Sequence, residues 1–324
     1  MSTFPLQKYI PQASRLAAGF MGLGGSWDQT PITDKHVKKA HKVVDTALEV
    51  GINFFDHADI YMMGKAEQVF GRVVAERPEL REQLFIQTKC GIRFADEDGN
   101  PGRYDFSKEW ILASVDGSLE RLNVEYIDVL LLHRPDPLME PEEIAEAFAA
   151  LKKAGKVRHF GVSNFHVHQI SYLQSFLPDP LVANQIQMGL DHRDWIEQGI
   201  MFNNEDGKHL NFTPGILEYC RLNEVQLQAW GSMAQGIYSG LSLKKQPKAV
   251  KRTAELVVSL AEKYDTSLEA IVIGWLLRHP AAIQPVIGTT KSKRIKACSQ
   301  ALDIELSRED WYALFVSARG VSVP

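Results

Sequence analysis

Asp56, Tyr61, Lys89 and His133 are the residues of this sequence whose types and placement could manage a proton. Asp56 closes the apolar run 52–55, Lys89 closes 84–88 and His133 closes 127–132, while Tyr61 lies five residues beyond Asp56. A tyrosine hydroxyl titrates near about 10, so at neutral pH it is a neutral donor and a reluctant acid. A neighbouring ammonium stabilises the phenolate and lowers that value, and a carboxylate keeps the ammonium charged and in place. Asp56, Lys89 and Tyr61 thus form a tuned proton donor, and His133 adds a second hydrogen bond to the same substrate oxygen. Such a set protonates the oxyanion that forms when a carbonyl is attacked. No nucleophilic Ser or Cys is evident and no metal triad accompanies it. The attacker expected is therefore a hydride from an organic cofactor.

These side chains need a scaffold that brings strand ends together. An apolar stretch near Leu16 runs into the Gly-rich turn Gly22-Leu23-Gly24-Gly25, and Val37, Ala40, His41, Val44, Ala47 and Leu48 then mark one helix face. Further strand-like runs begin near 52, 84, 127, 157, 181, 225 and 283. Helical stretches follow at about 107–122, 141–153, 166–175, 213–222, 252–264, 267–278 and 292–301. Strands that alternate with helices and read as continuous apolar runs imply a parallel sheet covered by helices. Eight such units favour a closed (β/α)8 TIM barrel over an open doubly wound sheet. The turn after the first strand carries no G-x-G-x-x-G, which also argues against the open sheet. In a barrel the strand ends meet at one mouth, so the four residues become neighbours. The irregular stretches 188–212 and 231–250 would follow strands six and seven on that same face, where long loops are often functional lids.

Composition excludes most other classes. The chain has 324 residues, 45% hydrophobic and 23% charged, with a formal charge of −4. That balance gives no electrostatic reason for a nucleic-acid partner. Three cysteines, Cys90, Cys220 and Cys298, make neither a disulfide framework nor a zinc motif and favour a reducing, cytoplasmic setting. The first residues hold no apolar core of a signal peptide, and the best apolar run, 270–277, is far too short for a membrane span. No Pro, Gly or Ser linker splits the chain, so residues 1–324 are expected to form a single domain, a monomer or weak oligomer.

The motifs resemble those of the aldo-keto reductase superfamily. The run from Gly51 through Asp56 to Tyr61, Lys89 within Phe-Ile-Gln-Thr-Lys-Cys-Gly, His133 within Leu-Leu-Leu-His-Arg-Pro-Asp, and Gly161-Val-Ser163-Asn164 occur in the order and at the separations of that family. Ala229-Trp230 and Val286-Ile-Gly-Thr-Thr-Lys point to its bacterial oxidoreductase branch. The resemblance covers residues from about 16 to 302 and implies an NADPH/NADP+-dependent reductase of a small-molecule carbonyl, with Asp56, Tyr61, Lys89 and His133 as its catalytic tetrad. It places Ser163, Asn164 and Gln185 on the nicotinamide carboxamide and Trp230 under the ring. Gly19 and Met21 would lie beside it, and the segment from Gly231, Ser232 and Met233 to Gly236 over the pyrophosphate. Thr289, Lys291 and Arg294 would meet the adenosine end, where a pair of cations suits a 2′-phosphate. It also implies an N-terminal β-hairpin on the barrel floor and extra C-terminal helices.

This sequence departs from the family pattern in two places. The aromatic-Ser-Pro-Leu that usually follows strand seven is Trp230-Gly231-Ser232-Met233, and the usual adenine contacts fall on Ala297 and Cys298. Trp27, His57, Met62, Met63 and Trp195 follow barrel strands and are candidates for an apolar substrate pocket. Two rival functions remain: a non-catalytic cofactor-binding regulatory subunit on the same barrel, and a barrel enzyme using Lys89 as a Schiff-base nucleophile. The second leaves Asp56 and Tyr61 without a role.

Overall fold

The computed structural model of the chain describes residues 4–324. Its eight barrel strands, numbered one to eight in chain order, are Ala17–Gly19, Phe54–Asp56, Phe85–Cys90, Ile127–Leu132, Val157–Ser163, Leu181–Gln187, Gln226–Trp230 and Gln284–Ile287. All neighbouring pairs are parallel, and strand one closes the barrel against strand eight, with Ala17 opposite Val286. The (β/α)8 expectation holds.

Local sequence explains the helices that wrap it. Helix Asp34–Glu49 starts at a capping box of Thr33 and His36, buries Val37, Ala40, Val44 and Ala47, and stops before Gly51, whose φ of 75° suits a residue without Cβ. Helix Lys108–Leu122 begins where the Ser107 hydroxyl accepts the Trp110 N–H and ends at Asn123 in a left-handed conformation. Helix Lys65–Glu76, after strand two, is not marked by the sequence pattern, because buried Lys65 and Glu67 break its apolar face. The stretch 188–212 is partly ordered into helix Asp194–Ile200 and a short 3-10 turn, Glu205–His209. The extra C-terminal helix is Arg308–Arg319.

Strand residues alternate between two cores. Ala18, Phe55, Ile86, Leu130, Val162, Ile186, Leu227 and Ile287 face the helices. Ala17, Phe54, Val129, Leu131 and Val286 fill the lower barrel. This period of two fixes the site, because Asp56, Lys89 and His133 share parity with the inward Phe54, Phe85 and Leu131.

The floor departs from expectation. In place of a β-hairpin, Pro5–Lys8 forms a 3-10 turn, and Pro5 at its start has no N–H to give a strand partner. The segment still plugs the barrel: Phe4, Leu6 and Ile10 are buried, and the Leu6 N–H donates to Gln226 Oε1 at 3.3 Å. Among the described residues no helix is long and apolar enough to cross a membrane.

Candidate active site

The mouth at the C-terminal ends of the strands is a cavity of about 630 Å³. Lys89 organises its base. The Nζ donates to both carboxylate oxygens of Asp56 at 2.8 Å, to the His57 carbonyl at 2.7 Å and to the Tyr61 hydroxyl at 3.1 Å. An ammonium has donors only, so the Tyr61 oxygen accepts and its own proton is left to point elsewhere. Tyr61 lines the cavity, whereas Lys89 is buried beneath it. Burial pulls the Lys89 value down, but Asp56 and Tyr61 together outweigh it, so the side chain is held charged, above the usual lysine range.

The expected lowering of the tyrosine value is not the net result. Burial raises Tyr61 above the ordinary phenol range, with Lys89 pulling the other way and Asp56 reinforcing the rise. The hydroxyl is therefore a neutral donor rather than a partial phenolate. His133 is pushed down to about 2 by burial and by the positive charges of Lys89 and Arg134, so its ring is neutral at physiological pH. Its Nδ1 is buried without a partner, and the ring packs edge-on to Tyr61 at a centroid distance of 5.8 Å. A neutral imidazole there can orient an oxygen by hydrogen bonding but does not serve as the acid.

A layer of amides fixes Asp56. Gln87 and Gln185 donate to its Oδ1 at 2.6 and 2.9 Å, and both also donate to Gln228 Oε1, at 2.8 and 3.2 Å. Gln228 in turn donates to Gln284 Oε1 at 2.9 Å. This layer was not anticipated, although Gln226-Leu-Gln228-Ala-Trp230 displays its alternation openly.

The residues expected to hold a dinucleotide all lie along this cavity: Gly19, Met21, Ser163, Asn164, Gln185, Trp230, Gly231, Ser232, Met233, Gly236, Thr289, Lys291 and Arg294. Asn164 has a left-handed φ of 61°, donates to the His133 carbonyl at 3.1 Å and to Ser163 Oγ at 2.9 Å, and accepts the Trp230 indole N–H at 3.1 Å. That last bond fixes the plane of the indole. Gly231 and Gly236 have φ of 71° and 87°, a region open to glycine at little cost. Ala297 does not line the cavity, and Cys298 is buried with its Sγ 3.8 Å from Met233 Sδ.

The proposed substrate contacts fare differently. His57 points away from the mouth: it is fully buried, 4.7 Å from the Phe20 ring and 4.6 Å from Phe70, because its position after Asp56 has outward parity. Trp195 is 1% exposed and packs edge-on to Trp275 and His279, with its N–H given to the His192 carbonyl; it does not line the main cavity but borders an adjoining one. Trp27 is surface-exposed, and Trp27, Met62 and Met63 are not among the residues lining the main cavity. An adjoining cavity of about 340 Å³ opens under the 188–212 segment, between Arg134, Gln187, His192, Asp194, Asn211 and Trp230. That segment supplies His192, Asp194, Trp195, Asn211 and Phe212 to its walls, and the path of the segment is not given by the sequence pattern.

Comparison with known proteins agrees with this geometry. The model of the Aldo/keto reductase family matches residues 15–315. The oxidoreductase YdhF of Escherichia coli is 32% identical over 315 residues, covering 97% of this chain and 96% of that protein. A 6-dehydroglucose reductase of Agrobacterium fabrum is 34% identical, with 96% of each chain covered. Among solved structures, the glycerol dehydrogenase AKR11B4 of Gluconobacter oxydans superposes with a TM-score of 0.76 at 26% identity, covering 96% of this chain and 94% of that one. A closed barrel with the tetrad at its mouth, matched over nearly its whole length, places this chain in the aldo/keto reductase family.

Proposed function

We propose that this protein is an NADPH-dependent reductase of aldehydes or ketones in which Tyr61 donates the proton. The observation that carries this is the hydrogen-bond direction at Lys89: by filling the acceptor side of the Tyr61 oxygen it frees the hydroxyl proton for a ligand in the cavity.

The donor set fits the cofactor. An indole face lies near the catalytic end, with the amides of Asn164 and Gln185 beside it, glycine backbone along the wall and the cations Lys291 and Arg294 at the far rim. When bound, NADPH would supply the hydride. Ser163, Asn164 and Gln185 would hold its carboxamide, Trp230 its ring, and Arg294 its 2′-phosphate. Of the two Gln185 functional atoms, the Nε2 is already committed to Asp56 and Gln228, which leaves the carbonyl oxygen to accept from an amide. Tyr61 and the neutral His133 converge on the substrate oxygen, and Lys89 stabilises the phenolate left behind after proton transfer.

The polar residues of the second cavity, Arg134, Gln187, His192, Asp194 and Asn211, set among Phe165, Trp195 and Phe212, support a polyhydroxylated carbonyl substrate. The activities named for the A. fabrum and G. oxydans proteins, on an oxidised sugar and on glycerol, point the same way. A regulatory role without catalysis would not require the Lys89 arrangement. The test is Tyr61→Phe, which should bind NADPH within about threefold of the parent yet lose about 10²- to 10⁴-fold in aldehyde turnover, the scale of general acid catalysis. Retained turnover would refute the assignment.

A further inference from the structure

Arg294, at the rim of the cavity, is not a free cation. Its Nε donates to Glu269 Oε1 at 2.9 Å, and its Nη2 donates to Ser239 Oγ at 2.6 Å, with the Ser239 carbonyl 3.4 Å away. The guanidinium also packs against the backbone of Gly236, where a Cβ would come within 3.1 Å of Nη1. Glu269 stands in the first turn of helix Leu268–Leu277, and its side chain is 14% exposed. Ser239 is buried within the segment that follows strand seven. Three separate parts of the chain thus converge on one guanidinium.

This geometry limits what Arg294 can offer. An arginine recognises a phosphate best by presenting two parallel N–H donors from one edge of its fork. Here the edge formed by Nε and Nη2 is taken, by a carboxylate on one atom and a hydroxyl on the other. Only the Nη1 end is uncommitted, and the charge is already partly compensated by Glu269. A 2′-phosphate approaching this rim meets a carboxylate directly behind the cation that should attract it, and repulsion from it opposes the gain.

We propose that Glu269 sets the cofactor discrimination of this protein: by occupying the inner edge of Arg294 it narrows the advantage of a 2′-phosphate, so that NADPH and NADH bind within about tenfold of one another. Glu269 is a positioning residue, because it acts through Arg294 and does not line the cavity itself. The inference rests on reading the cavity as a nicotinamide dinucleotide site.

The test is direct titration of both cofactors, followed by quenching of tryptophan fluorescence, since Trp230 lines the site. Glu269→Gln keeps an oxygen for the Nε–H and removes the negative charge. It should tighten NADPH by about tenfold, the scale of one charge-assisted hydrogen bond, while NADH changes less than twofold. The gain should shrink in high salt. Combining Glu269→Gln with Arg294→Gln should abolish the gain, which a purely structural role for Glu269 would not predict. A thermal melt confirms that each variant is folded. A parent that prefers NADPH by a hundredfold or more overturns the proposal. So does a Glu269→Gln variant that weakens both cofactors equally or leaves their ratio unchanged. Neither result touches the assignment of the cavity, whereas failure of the parent to bind either cofactor overturns both.

Discussion

Replacing Lys89 with methionine separates what the lysine does for the fold from what it does for the site. The Lys89 side chain is 1% exposed and the Asp56 side chain 4%, so the pair is nearly closed off from water. Removing the ammonium leaves a buried carboxylate with its two amide donors, Gln87 and Gln185, but no counter-charge. Breaking a buried pair in this way costs about 3–5 kcal/mol. For 324 residues the unfolding entropy translates each kcal/mol into about 1.5 °C, so the melting temperature should fall by about 4–8 °C. The double variant Asp56→Asn with Lys89→Met removes the orphaned charge as well. Its amide oxygen can still accept from Gln87 and Gln185, while the new NH₂ takes the place of Oδ2, whose only partner was Lys89. One unsatisfied amide donor costs about 1–3 kcal/mol, less than an unpaired charge, so the double variant should be more stable than the single one. Turnover should not follow stability. Both variants lack the cation beside Tyr61, and both should lose about 10²-fold or more in kcat. Calorimetric melts and carbonyl reduction assays on the three proteins decide the matter. A single variant as stable as the parent, or a double variant less stable than the single, would refute the reasoning about the buried pair.

Two further perturbations test a buried neighbour of the site and one of its walls. His57 is held neutral down to about 3 by burial and by Lys89, and neither ring nitrogen has a partner. An unfolded histidine protonates near about 6.5, so the unfolded chain binds more protons below that pH and stability drains away as pH falls toward 3. His57→Leu should therefore lose that share of the acid sensitivity, gaining roughly 2 kcal/mol more at pH 5 than at pH 8 in urea unfolding; an unchanged pH dependence would count against it. Trp230→Phe keeps a flat face but gives up the hydrogen bond to Asn164, and should weaken NADPH binding about fivefold in a fluorescence titration, whereas Trp230→Ala should weaken it far more.

What the sequence made legible followed from local rules. Asp56, Lys89 and His133 are legible because each closes or directly follows a strand run whose parity and direction place it at the mouth, and parity survives any detail of packing; Tyr61, in the turn after strand two, is legible only through its spacing from Asp56. The residues expected to hold a dinucleotide come from the resemblance alone; most of them end strands or begin the turns after them, which is why they line the cavity, whereas Arg294 stands in helix Ser292–Ser299. The substrate candidates failed where parity was not applied. His57, one residue past Asp56, must point outward, and its packing against Phe20 and Phe70 follows from that. Trp195 lies in a long connection, where nothing local says which face turns inward; it borders the second cavity rather than the main one. The floor hairpin was expected from resemblance alone, and Pro5 argued against it throughout. Helix Lys65–Glu76 was obscured by Glu67, a buried carboxylate in its first turn. That carboxylate accepts from Thr88 at 2.6 Å and from Arg121 at 2.8 Å, partners 21 and 54 residues away that no local pattern reveals.

The amide layer shows why this fold holds a strong donor set at the right spot. Asp56 alone would be free to rotate and to bind Lys89 through either oxygen. Its Oδ1 instead receives donors from strand three, the neighbour of strand two, and from strand six, which faces strand two across the closed ring. Gln228 ties those two donors to each other, and through Gln284 the chain of bonds reaches the Ser14 carbonyl beside the floor. Moving the carboxylate by even a fraction of an ångström would stretch bonds to strands three, six, seven and eight together. Lys89 is then held at a fixed place, and so is the acceptor side of the Tyr61 oxygen. Polar side chains inside a barrel cost desolvation, which the mutual hydrogen bonds offset only if nearly every atom is used. Apolar packing in the lower barrel around Phe54 and Leu131 and, far more extensively, between the strands and the helices carries the stability, so this layer can serve geometry instead.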